Sequence, residues 1–372
     1  MKVAVLGAGG TIAPAIVRDL AESEEVTALR LLDLDPHRAE EVASEHGGSK
    51  AQARQADATS NLAERLAGID VLINSAAYRI NLAAMEACLE AGCHYLDLGG
   101  LYHITAEQLR LSSQFEARGL LALLGIGSAP GKTNLLAARA VRELPSEPVS
   151  IAVSAAGRDL DPPDGVSFPY ALRTLLDEIT MSPMALISGH AEELRPLQSG
   201  PRVDFGEPIG EAETIFTLHS EVLTFGSSFG AGNVSFALSL SEGVLDSLRG
   251  LEGASEETIA ETARSASPPS SNTVAVHLVE VSGAGSGVRA RSVTRPHAEW
   301  GLGGGIVSTA SPAAAAVRLL ARGRITDRGA LPPELCIDPD EMFAELETRG
   351  VRFEATALEH APAEPLATRT PG

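Results

Sequence analysis

Cysteine, lysine and aromatic residues are scarce in this chain of 372 residues. Its three cysteines, Cys88, Cys93 and Cys336, cannot form a disulfide framework and lack the spacing of a zinc site. We therefore expect buried thiols in a reducing compartment, and no metal. The 29 lysines and arginines are outnumbered by 49 acidic residues, giving a formal net charge of −20. This charge argues against nucleic acid and anionic membranes as partners.

Long hydrophobic runs are also missing from the pattern. We expect no apolar run to reach the roughly 18 residues that a membrane-spanning helix needs. The opening residues lack the charged, apolar and small-residue succession of a secretory signal, so we expect a cytoplasmic location. The hydrophobic content of 44% over this length is enough for two domains with substantial cores.

The N-terminus has the pattern of a strand, a glycine turn and a helix. Residues 2–6 are apolar, and Gly7, Gly10 and Ala13 follow as G-x-x-G-x-x-A. A strict G-x-G-x-x-G would need glycine where Ile12 stands. The pattern predicts a turn that approaches a dinucleotide pyrophosphate at a helix N-terminus, although a tight turn without a ligand is the alternative. The predicted cradle consists of Gly7, Gly9, Gly10, Thr11 and Ile12.

An acidic residue, Asp33, closes the next apolar strand. Its carboxylate would accept hydrogen bonds from ribose hydroxyls and repel a 2′-phosphate, which favours NAD. NADP stays possible because Arg38 could fold back toward the same position. The alternative role is that of a cap for the helix beginning at Pro36, for which Asp35 is better placed.

Strands and helices of about ten residues alternate up to residue 125, with helices expected at 36–46, 82–91 and 106–118. This alternation predicts an α/β fold with a doubly wound parallel Rossmann sheet that binds its ligand at the carboxyl ends of the strands. At those ends we place further cofactor contacts, for which the alternative is ordinary strand exits. They are Asp57, Ser75, Ala76 and Ala77.

From residue 148 the strands become longer, at 149–155, 214–218, 234–240 and 273–281. They predict a second, α+β domain with a mixed sheet. An alanine-rich helix is expected at 312–322, packing back on the first domain. The predicted organisation is a dinucleotide-binding domain at 1–128 completed by 306–354, a substrate and oligomerisation domain at 129–305, and a loose tail at 355–372.

Three stretches, 74–78, 87–100 and 127–134, resemble the saccharopine dehydrogenase and lysine 6-dehydrogenase family. The resemblance continues at 175–180, 219–221 and 331–334. It implies a two-domain, NAD(P)-dependent oxidoreductase that passes a hydride between the nicotinamide and an amine-bearing carbon through an imine. It also implies a homodimer, a small amino-acid substrate of the saccharopine or lysine type, and cofactor contacts at Gly99 and Pro130.

Four residues are candidates for catalysis. Asp97 would bind an ammonium group or act as general base, or else cap the helix after Gly100. Lys132, where the family usually has an apolar residue, would pair with a substrate carboxylate or simply be solvated. His219 and Glu221 are expected on one face of a strand, as a proton-transfer pair or as a structural pair.

The remaining candidates would contact substrate, and they are Tyr78, Gly100, Asn134 and Arg295. Asn134 could instead satisfy backbone groups, and Arg295 would clamp a carboxylate. Glu178 is a second ammonium partner if it does not lie on a solvated helix face. The alternatives to a C–N dehydrogenase are a hydroxy acid or semialdehyde dehydrogenase, and a non-catalytic NAD-binding sensor.

Overall fold

The computed structural model describes residues 1–358. The chain divides into two compact units. The first contains Met1–Leu135 and Ile306–Arg349, and the second contains Leu136–Gly305 and residues 350–358.

The strands alternate with helices throughout residues 1–358. In chain order they are β1 (Lys2–Leu6), β2 (Ala28–Asp33), β3 (Ala51–Gln55), β4 (Val71–Asn74), β5 (His94–Asp97), β6 (Leu121–Leu123), β7 (Pro148–Asp159), β8 (Met184–Ile187), β9 (His190–Glu193), β10 (Val203–Asp204), β11 (Glu211–Ala212), β12 (Ile215–Phe216), β13 (Asn233–Ser239), β14 (Thr273–Gly283), β15 (Ser286–Thr294), β16 (Gly329–Leu331) and β17 (Val351–Leu358).

The α-helices are α1 (Ala13–Glu22), α2 (Pro36–His46), α3 (Leu62–Arg65), α4 (Asn81–Ala91), α5 (Leu101–Leu109), α6 (Ser112–Ala117), α7 (Lys132–Glu143), α8 (Leu172–Thr180), α9 (Glu221–Phe229), α10 (Glu242–Arg249), α11 (Glu256–Ser265), α12 (Gly304–Ala321), α13 (Pro333–Cys336) and α14 (Pro339–Glu347). Short 3₁₀ helices lie at Tyr78–Ile80 and Ala298–Trp300.

The first unit is built on a parallel sheet with the strand order β16-β6-β5-β4-β1-β2-β3. Every neighbouring pair in this sheet is parallel. The chain reverses its winding direction between β1 and β4, and such a switch point is where open α/β sheets bind ligands. The predicted doubly wound Rossmann sheet is therefore confirmed. Its seventh strand, β16, is contributed by the chain when it returns from the second unit.

The second unit contains a mixed sheet with the order β17-β15-β14-β7-β13-β8-β9, and β12 pairs with β13. Only β7 and β13 run parallel; the other pairs are antiparallel. A short hairpin, β10 with β11, lies apart from it. The sequence prediction of a mixed-sheet second domain is confirmed.

Local sequence explains several helix boundaries. Helix α2 begins where predicted because Asp35 caps it, accepting a hydrogen bond from the amide of His37 at 3.0 Å, and Pro36 supplies the first helical residue. Helix α4 ends at Gly92, whose φ of +73° gives the left-handed C-cap that glycine adopts without strain.

Helix α12 is the longest helix of the described chain and runs through Pro312. Its 18 residues have a mean hydropathy of 1.2. Within residues 1–358 it is the one helix that is long and apolar enough to cross a membrane. The prediction that no apolar segment reaches this length is therefore wrong. Because 78% of the segment is buried within the protein, it has the character of a core helix.

A buried ion-pair network fixes α12 against α1 and α14 in the first unit. Arg318 donates from Nη1 to Asp19 Oδ1 at 2.7 Å and from Nε to Glu345 Oε2 at 2.6 Å. Arg349 donates to the same Asp19 oxygen at 2.6 Å. Arg318 and Asp19 are almost completely buried, so their charges need the compensation that these ion pairs supply.

Some predicted elements differ from the structure. The single helix expected at 106–118 is two helices, α5 and α6, and the one expected at 312–322 begins earlier, at Gly304. Residues 351–358 form β17, which pairs along β15 in the second sheet. They therefore belong neither to the first unit nor to a loose tail, and residues 359–372 lie outside the described part.

Candidate active site

The turn between β1 and α1 requires glycine for two separate reasons. Gly7 has a φ of +75°, and a Cβ atom there would lie 2.7 Å from the backbone of Ala76. The amide of Gly7 donates to the carbonyl of Leu32 at 2.8 Å, and that of Gly10 donates to Gly7 at 2.9 Å. Ala13 is fully buried at the first position of α1, where only a small side chain packs this closely.

The N-terminus of α1 carries no side-chain cap. Its N-cap residue is Ile12, which accepts no side-chain hydrogen bond, and Thr11 beside it is exposed. A ten-residue helix thus presents backbone N–H groups and the positive end of its dipole beside a turn in which a Cβ would collide. The residues present fit a pyrophosphate, which Gly9, Gly10 and Thr11 would hold.

Asp33 faces the same turn from the end of β2. Its Oδ2 accepts from the Gly9 amide at 2.8 Å and its Oδ1 from the Asp35 amide at 3.0 Å. The guanidinium of Arg38 donates to the carbonyl of Gly9. Since Asp35 is the cap of α2, Asp33 does not cap that helix and is positioned beside the glycine turn.

Two further strand ends were expected to contact cofactor. Asp57 folds back on its own loop, where Oδ1 accepts from the amide of Thr59 at 2.8 Å and from its hydroxyl at 2.7 Å. Ser75 donates from Oγ to the carbonyl of Leu6 at 2.8 Å, so the β4 exit is tied to the β1 exit. Ala76 touches Gly7, and Ala77 beyond it is exposed.

Asp97 is buried at the end of β5 and is saturated with hydrogen bonds. Oδ1 accepts from the amides of Gly99 at 2.9 Å and Gly125 at 2.7 Å. Oδ2 accepts from Gln108 Nε2 at 2.6 Å and Asn81 Nδ2 at 3.2 Å. Burial raises the pKa of the Asp97 carboxyl, against the effect of these donors. The geometry is that of a group that joins the loops after β5 and β6.

Asp97 does not cap the helix after Gly100, contrary to the alternative considered from sequence. The N-cap of α5 is Gly100 itself, without a side-chain cap bond. A Cβ on Gly100 would lie 2.3 Å from Gln108 Oε1, and one on Gly99 would lie 3.0 Å from the ring of Pro130. Both glycines are therefore required by close packing at this edge.

Lys132 is completely buried at the first residue of α7. Its Nζ donates to Ser308 Oγ of α12 at 2.6 Å. Burial lowers the pKa of Lys132 from 10.5 to about 7, so a substantial fraction of the amine is neutral near neutral pH. The alternative of a solvated lysine is wrong. The other two lysines of the chain differ from it, since Lys2 is exposed and Lys50 is half-buried.

Asn134 braces the turn that precedes Lys132. Its Oδ1 accepts from the Gly131 amide at 2.7 Å, and its Nδ2 donates to Glu334 Oε2 at 2.7 Å. Gly131 has a φ of +123° and abuts the backbone of Gly127, so the turn tolerates no side chain there. Asn134 therefore satisfies the backbone, which was the alternative to a substrate contact.

One edge of the first sheet thus gathers most of the residues predicted for the cofactor. Along the strand order β6, β5, β4, β1 and β2, their exits carry in turn the Pro130 turn, Gly99, Ser75, Gly7 and Asp33. The carboxyl ends of adjacent parallel strands share one edge, so these groups form a continuous row. Tyr78, half-buried, lies in the short helix just after the β4 exit, with Arg79 over its ring at 5.8 Å.

The second unit contains a separate cluster around His219. The expectation that His219 and Glu221 share a strand face is wrong, because His219 lies in a loop and Glu221 begins α9. They nevertheless meet, with 3.5 Å between His219 Nδ1 and Glu221 Oε2. Glu178 approaches His219 Nε2 to 3.8 Å and is buried, so it does not lie on a solvated face.

The charge of His219 follows from these neighbours. Burial alone would lower the pKa of His219, but the carboxylates of Glu178 and Glu221 outweigh it and raise the pKa to about 9. Arg295, proposed from sequence as a carboxylate clamp, is exposed just after β15.

Sequence reasoning did not identify three members of these clusters, Ser308, Gln108 and Tyr170. The hydroxyl of Tyr170 donates to Oε2 of Glu178, beside His219. Ser308 lies on α12, far from Lys132 in the chain, and no local motif marks it. Gln108 is a completely buried amide in α5, at a position where the sequence gives no sign that a polar side chain is buried. The signal that was available is the unusual Lys132, which requires a buried polar partner if it lies in a core.

A parallel sheet with a glycine turn and a strand-end acid at its switch point defines a Rossmann-type dinucleotide-binding domain. Residues 3–123 match the family model described as "Saccharopine dehydrogenase NADP binding domain". This match confirms the resemblance noted from the sequence and the predicted nicotinamide cofactor class.

Two known proteins extend the comparison. Carboxyaminopropylagmatine dehydrogenase of Synechocystis sp. is 32% identical over 151 residues, which cover 38% of each chain, well under half of that relative. The apo saccharopine dehydrogenase (L-Glu forming) of Saccharomyces cerevisiae has a similar fold, with a TM-score of 0.71 and 16% identity over 96% of this chain and 99% of that chain.

Proposed function

We propose that this protein is a nicotinamide-dependent dehydrogenase that acts on the C–N bond of a secondary amine derived from an amino acid. The substrate class is a conjugate in which an amino or guanidino compound is joined to a carboxylate-bearing chain through one nitrogen. Both named relatives support this class, since saccharopine and carboxyaminopropylagmatine are conjugates of this kind.

The observation that carries the proposal is the buried Lys132 on the sheet edge that carries the dinucleotide fingerprint. A hydride transfer from a carbon next to nitrogen also requires that the nitrogen lose a proton. An amine with a pKa of about 7 is suited to accept it, because general bases work best when their pKa lies near the working pH.

The reaction can be written with its atoms in balance. In the oxidative direction, the C–H bond beside nitrogen gives its hydride, with both electrons, to the nicotinamide, which is the chemistry that the cofactor supplies. Lys132 takes the N–H proton, and a C=N bond forms. Water then adds to the imine, and cleavage of the C–N bond leaves a carbonyl compound and a free amine. Asp97 holds the neighbouring loops in place and transfers no proton.

NAD is the proposed cofactor because Asp33 presents a carboxylate beside the glycine turn, where a 2′-phosphate would be repelled. The matching family is described by NADP, and Arg38 at Gly9 supplies a cation nearby. Titration with both dinucleotides decides between them.

The test is the appearance or loss of reduced nicotinamide absorbance with purified protein. In the oxidative direction we would supply saccharopine, carboxyaminopropylagmatine and lysine with NAD or NADP. In the reductive direction we would supply agmatine, putrescine or lysine together with a carbonyl partner. Turnover of a secondary-amine conjugate, and formation of that conjugate by mass spectrometry, is the expected result. Sedimentation of the same sample tests the proposed homodimer.

Two results would replace the proposal. Oxidation of hydroxy acids or semialdehydes without amine turnover would identify a C–O or aldehyde dehydrogenase. Tight dinucleotide binding without turnover of any of these compounds would favour a sensor.

A further inference from the structure

A chain of buried polar side chains runs through the first unit behind the row of strand exits. It starts at Asn74, the last residue of β4, passes through Asn81, the first residue of α4, and ends at Asp97, the last residue of β5. Each of these three residues is 1% exposed. Burying polar groups costs free energy unless they are hydrogen-bonded, so the partners of these side chains determine how they are arranged.

The backbone fixes the direction of this chain at its first end. Asn74 Oδ1 accepts from the amide of Ala76 at 3.1 Å, and a backbone N–H can only donate. Asn74 Nδ2 therefore faces away from Ala76, and it donates to Asn81 Oδ1 at 2.8 Å. This contact leaves Asn81 Nδ2 as the group that faces β5.

The other end of the chain requires the same direction. Asn81 Nδ2 donates to Asp97 Oδ2 and to the carbonyl oxygen of Gly99, both at 3.2 Å. An ionised carboxylate and a backbone carbonyl can only accept. Asn81 is therefore an acceptor toward β4 and a donor toward β5, and an aliphatic side chain of the same size could be neither.

The chain begins beside the diphosphate turn. A Cβ atom on Gly7 would lie 2.7 Å from Ala76, so these two residues pack closely. Asp33 marks the adenosine side of this turn, at the end of β2. In a doubly wound sheet the second half of a dinucleotide crosses to the other side of β1, over the exits of β4, β5 and β6. The chain of polar side chains therefore ends at the nicotinamide end of the site.

Asp97 joins two loops at that end. Its Oδ1 accepts from the amides of Gly99 and Gly125, which lie in the loops after β5 and β6. A Cβ atom on either glycine would lie 3.0 Å or less from the ring of Pro130. The two loops therefore share one position, and Asn81 holds them there through Asp97 Oδ2 and the carbonyl of Gly99.

We propose that Asn81 is a positioning residue for the cofactor, which holds the loops after β5 and β6 where the nicotinamide packs against them. Because it is buried behind these loops, it acts through Asp97 and Gly99. This inference rests on the dinucleotide binding in the proposed function, and not on the C–N reaction. Without the amide of Asn81, the contacts to adenosine and diphosphate would stay and those to the nicotinamide would be lost.

The test compares two ligands that differ by the nicotinamide. NAD and ADP-ribose share the adenosine, the diphosphate and the second ribose, so the ratio of their Kd values isolates the nicotinamide contacts. Calorimetry would measure both for wild type and for Asn81→Asp, which keeps the acceptor for Asn74 and removes the two donated hydrogen bonds. We expect the affinity for NAD to fall about tenfold at pH 8 and that for ADP-ribose to change less than about twofold.

The pH dependence separates this role from a general loss of structure. At low pH, the carboxyl group introduced by Asn81→Asp would share a proton with Asp97, and this contact would replace a lost hydrogen bond. Tyr95 is the other titratable group of this cluster, and it stays neutral because burial raises its pKa. The affinity of Asn81→Asp for NAD should therefore recover from about pH 8 to about pH 6, relative to that for ADP-ribose.

Two further variants serve as control and rescue. Gln52→Glu adds the same charge at an exposed amide of β3 in the same unit, and should change neither Kd. Asn81→Asp combined with Asp97→Asn returns one amide and one carboxylate to the contact, and should recover part of the affinity for NAD. If thermal unfolding shows that Asn81→Asp does not fold, Asn81→Ser takes its place. Its hydroxyl retains one donor, so we expect a smaller loss in the same direction.

An equal loss of affinity for both ligands, or an unchanged ratio, would overturn the positioning role. So would equal Kd values of wild type for NAD and ADP-ribose, because the two loops would then add nothing to binding. If the ratio changes as expected while no secondary amine is turned over, the proposed reaction fails and the role of Asn81 stands. If wild type binds neither ligand, both proposals fail.

Discussion

The amide of Gly9 donates a hydrogen bond to Asp33 Oδ2 at 2.8 Å, which joins the glycine turn to the end of β2. A carboxylate is thereby fixed at the place where the adenosine ribose of a dinucleotide lies in Rossmann domains. Arg38 donates to the carbonyl of the same Gly9, so opposite charges contact the two backbone polar groups of one residue.

Asp33→Ser is expected to shift the ratio of kcat/KM for NAD over NADP toward NADP by about tenfold or more. Loss of the carboxylate removes a repulsion worth at least about 1.4 kcal/mol against a 2′-phosphate. Asp35→Ser removes a neighbouring charge while keeping a residue able to cap α2, and should leave the ratio unchanged. An equal shift in both variants would show that the cofactor preference depends on the total negative charge near the turn and not on the position of Asp33.

Lys132→Met is expected to lower kcat/KM about a hundredfold, because the base for the N–H proton is lost. The neutral amine is the active form, so wild-type kcat/KM in the oxidative direction should rise with pH through about 7 and level off above it. This rise should disappear in Lys132→Met and persist in Lys2→Met, which changes an exposed lysine.

For stability, the substitution of the same lysine is expected to have the opposite effect from its effect on activity. Between pH 7 and the ordinary lysine pKa, the unfolded chain binds more protons at this position than the folded chain does, so Lys132 makes stability rise with pH. Lys132→Met should therefore unfold at an equal or higher temperature than wild type near pH 7, in calorimetry without cofactor. Marked destabilisation would mean that the Ser308 contact outweighs the burial cost.

Asp97→Asn is expected to weaken folding and cofactor binding while leaving little effect on the pH dependence. An amide offers one oxygen where the carboxylate accepts from four donors. Either the backbone amides on Oδ1 or the side-chain amides on Oδ2 therefore lose their partner, at about 1–3 kcal/mol each. Urea unfolding and dinucleotide titration measure both effects. If Asp97→Asn folds normally but its kcat/KM no longer falls at low pH as in wild type, Asp97 would instead be a catalytic residue.

Asp19→Ala should destabilise the first unit by about 3 kcal/mol, because it removes one of the two carboxylates that compensate the buried cation of Arg318 and leaves only Glu345. Glu22→Ala, on the same helix, removes an exposed partner of Arg18 and should cost under about 1 kcal/mol. Urea unfolding followed by fluorescence of a bound dinucleotide would report on the first unit separately.

The sequence predicted those parts of the fold that depend on neighbouring residues. The extent of α2 follows from Asp35 and Pro36, and the row of strand exits follows from alternation and glycine turns. Helix α12 was predicted too short because Pro312 was taken for its start, although buried contacts carry the helix through this residue. The three-residue β16 has too little pattern of its own and exists because β6 offers it an edge.

The candidate site shows the same division. Gly7 and Asp33 are recognisable since their roles depend on local turn geometry. Asp97 could not be interpreted from the sequence, because the donors that saturate it come from three other segments of the chain. His219 and Glu221 meet for a reason unrelated to strand alternation, and their partner Glu178 depends on tertiary packing.

Strand β16 has a consequence for the way the protein is made. A ribosome releases β6 long before Gly329–Leu331, so the nascent dinucleotide domain waits with an open sheet edge until the whole second unit has been synthesised. If synthesis stops in that interval, the incomplete domain exposes the unpaired edge of β6, which chaperones and proteases can recognise.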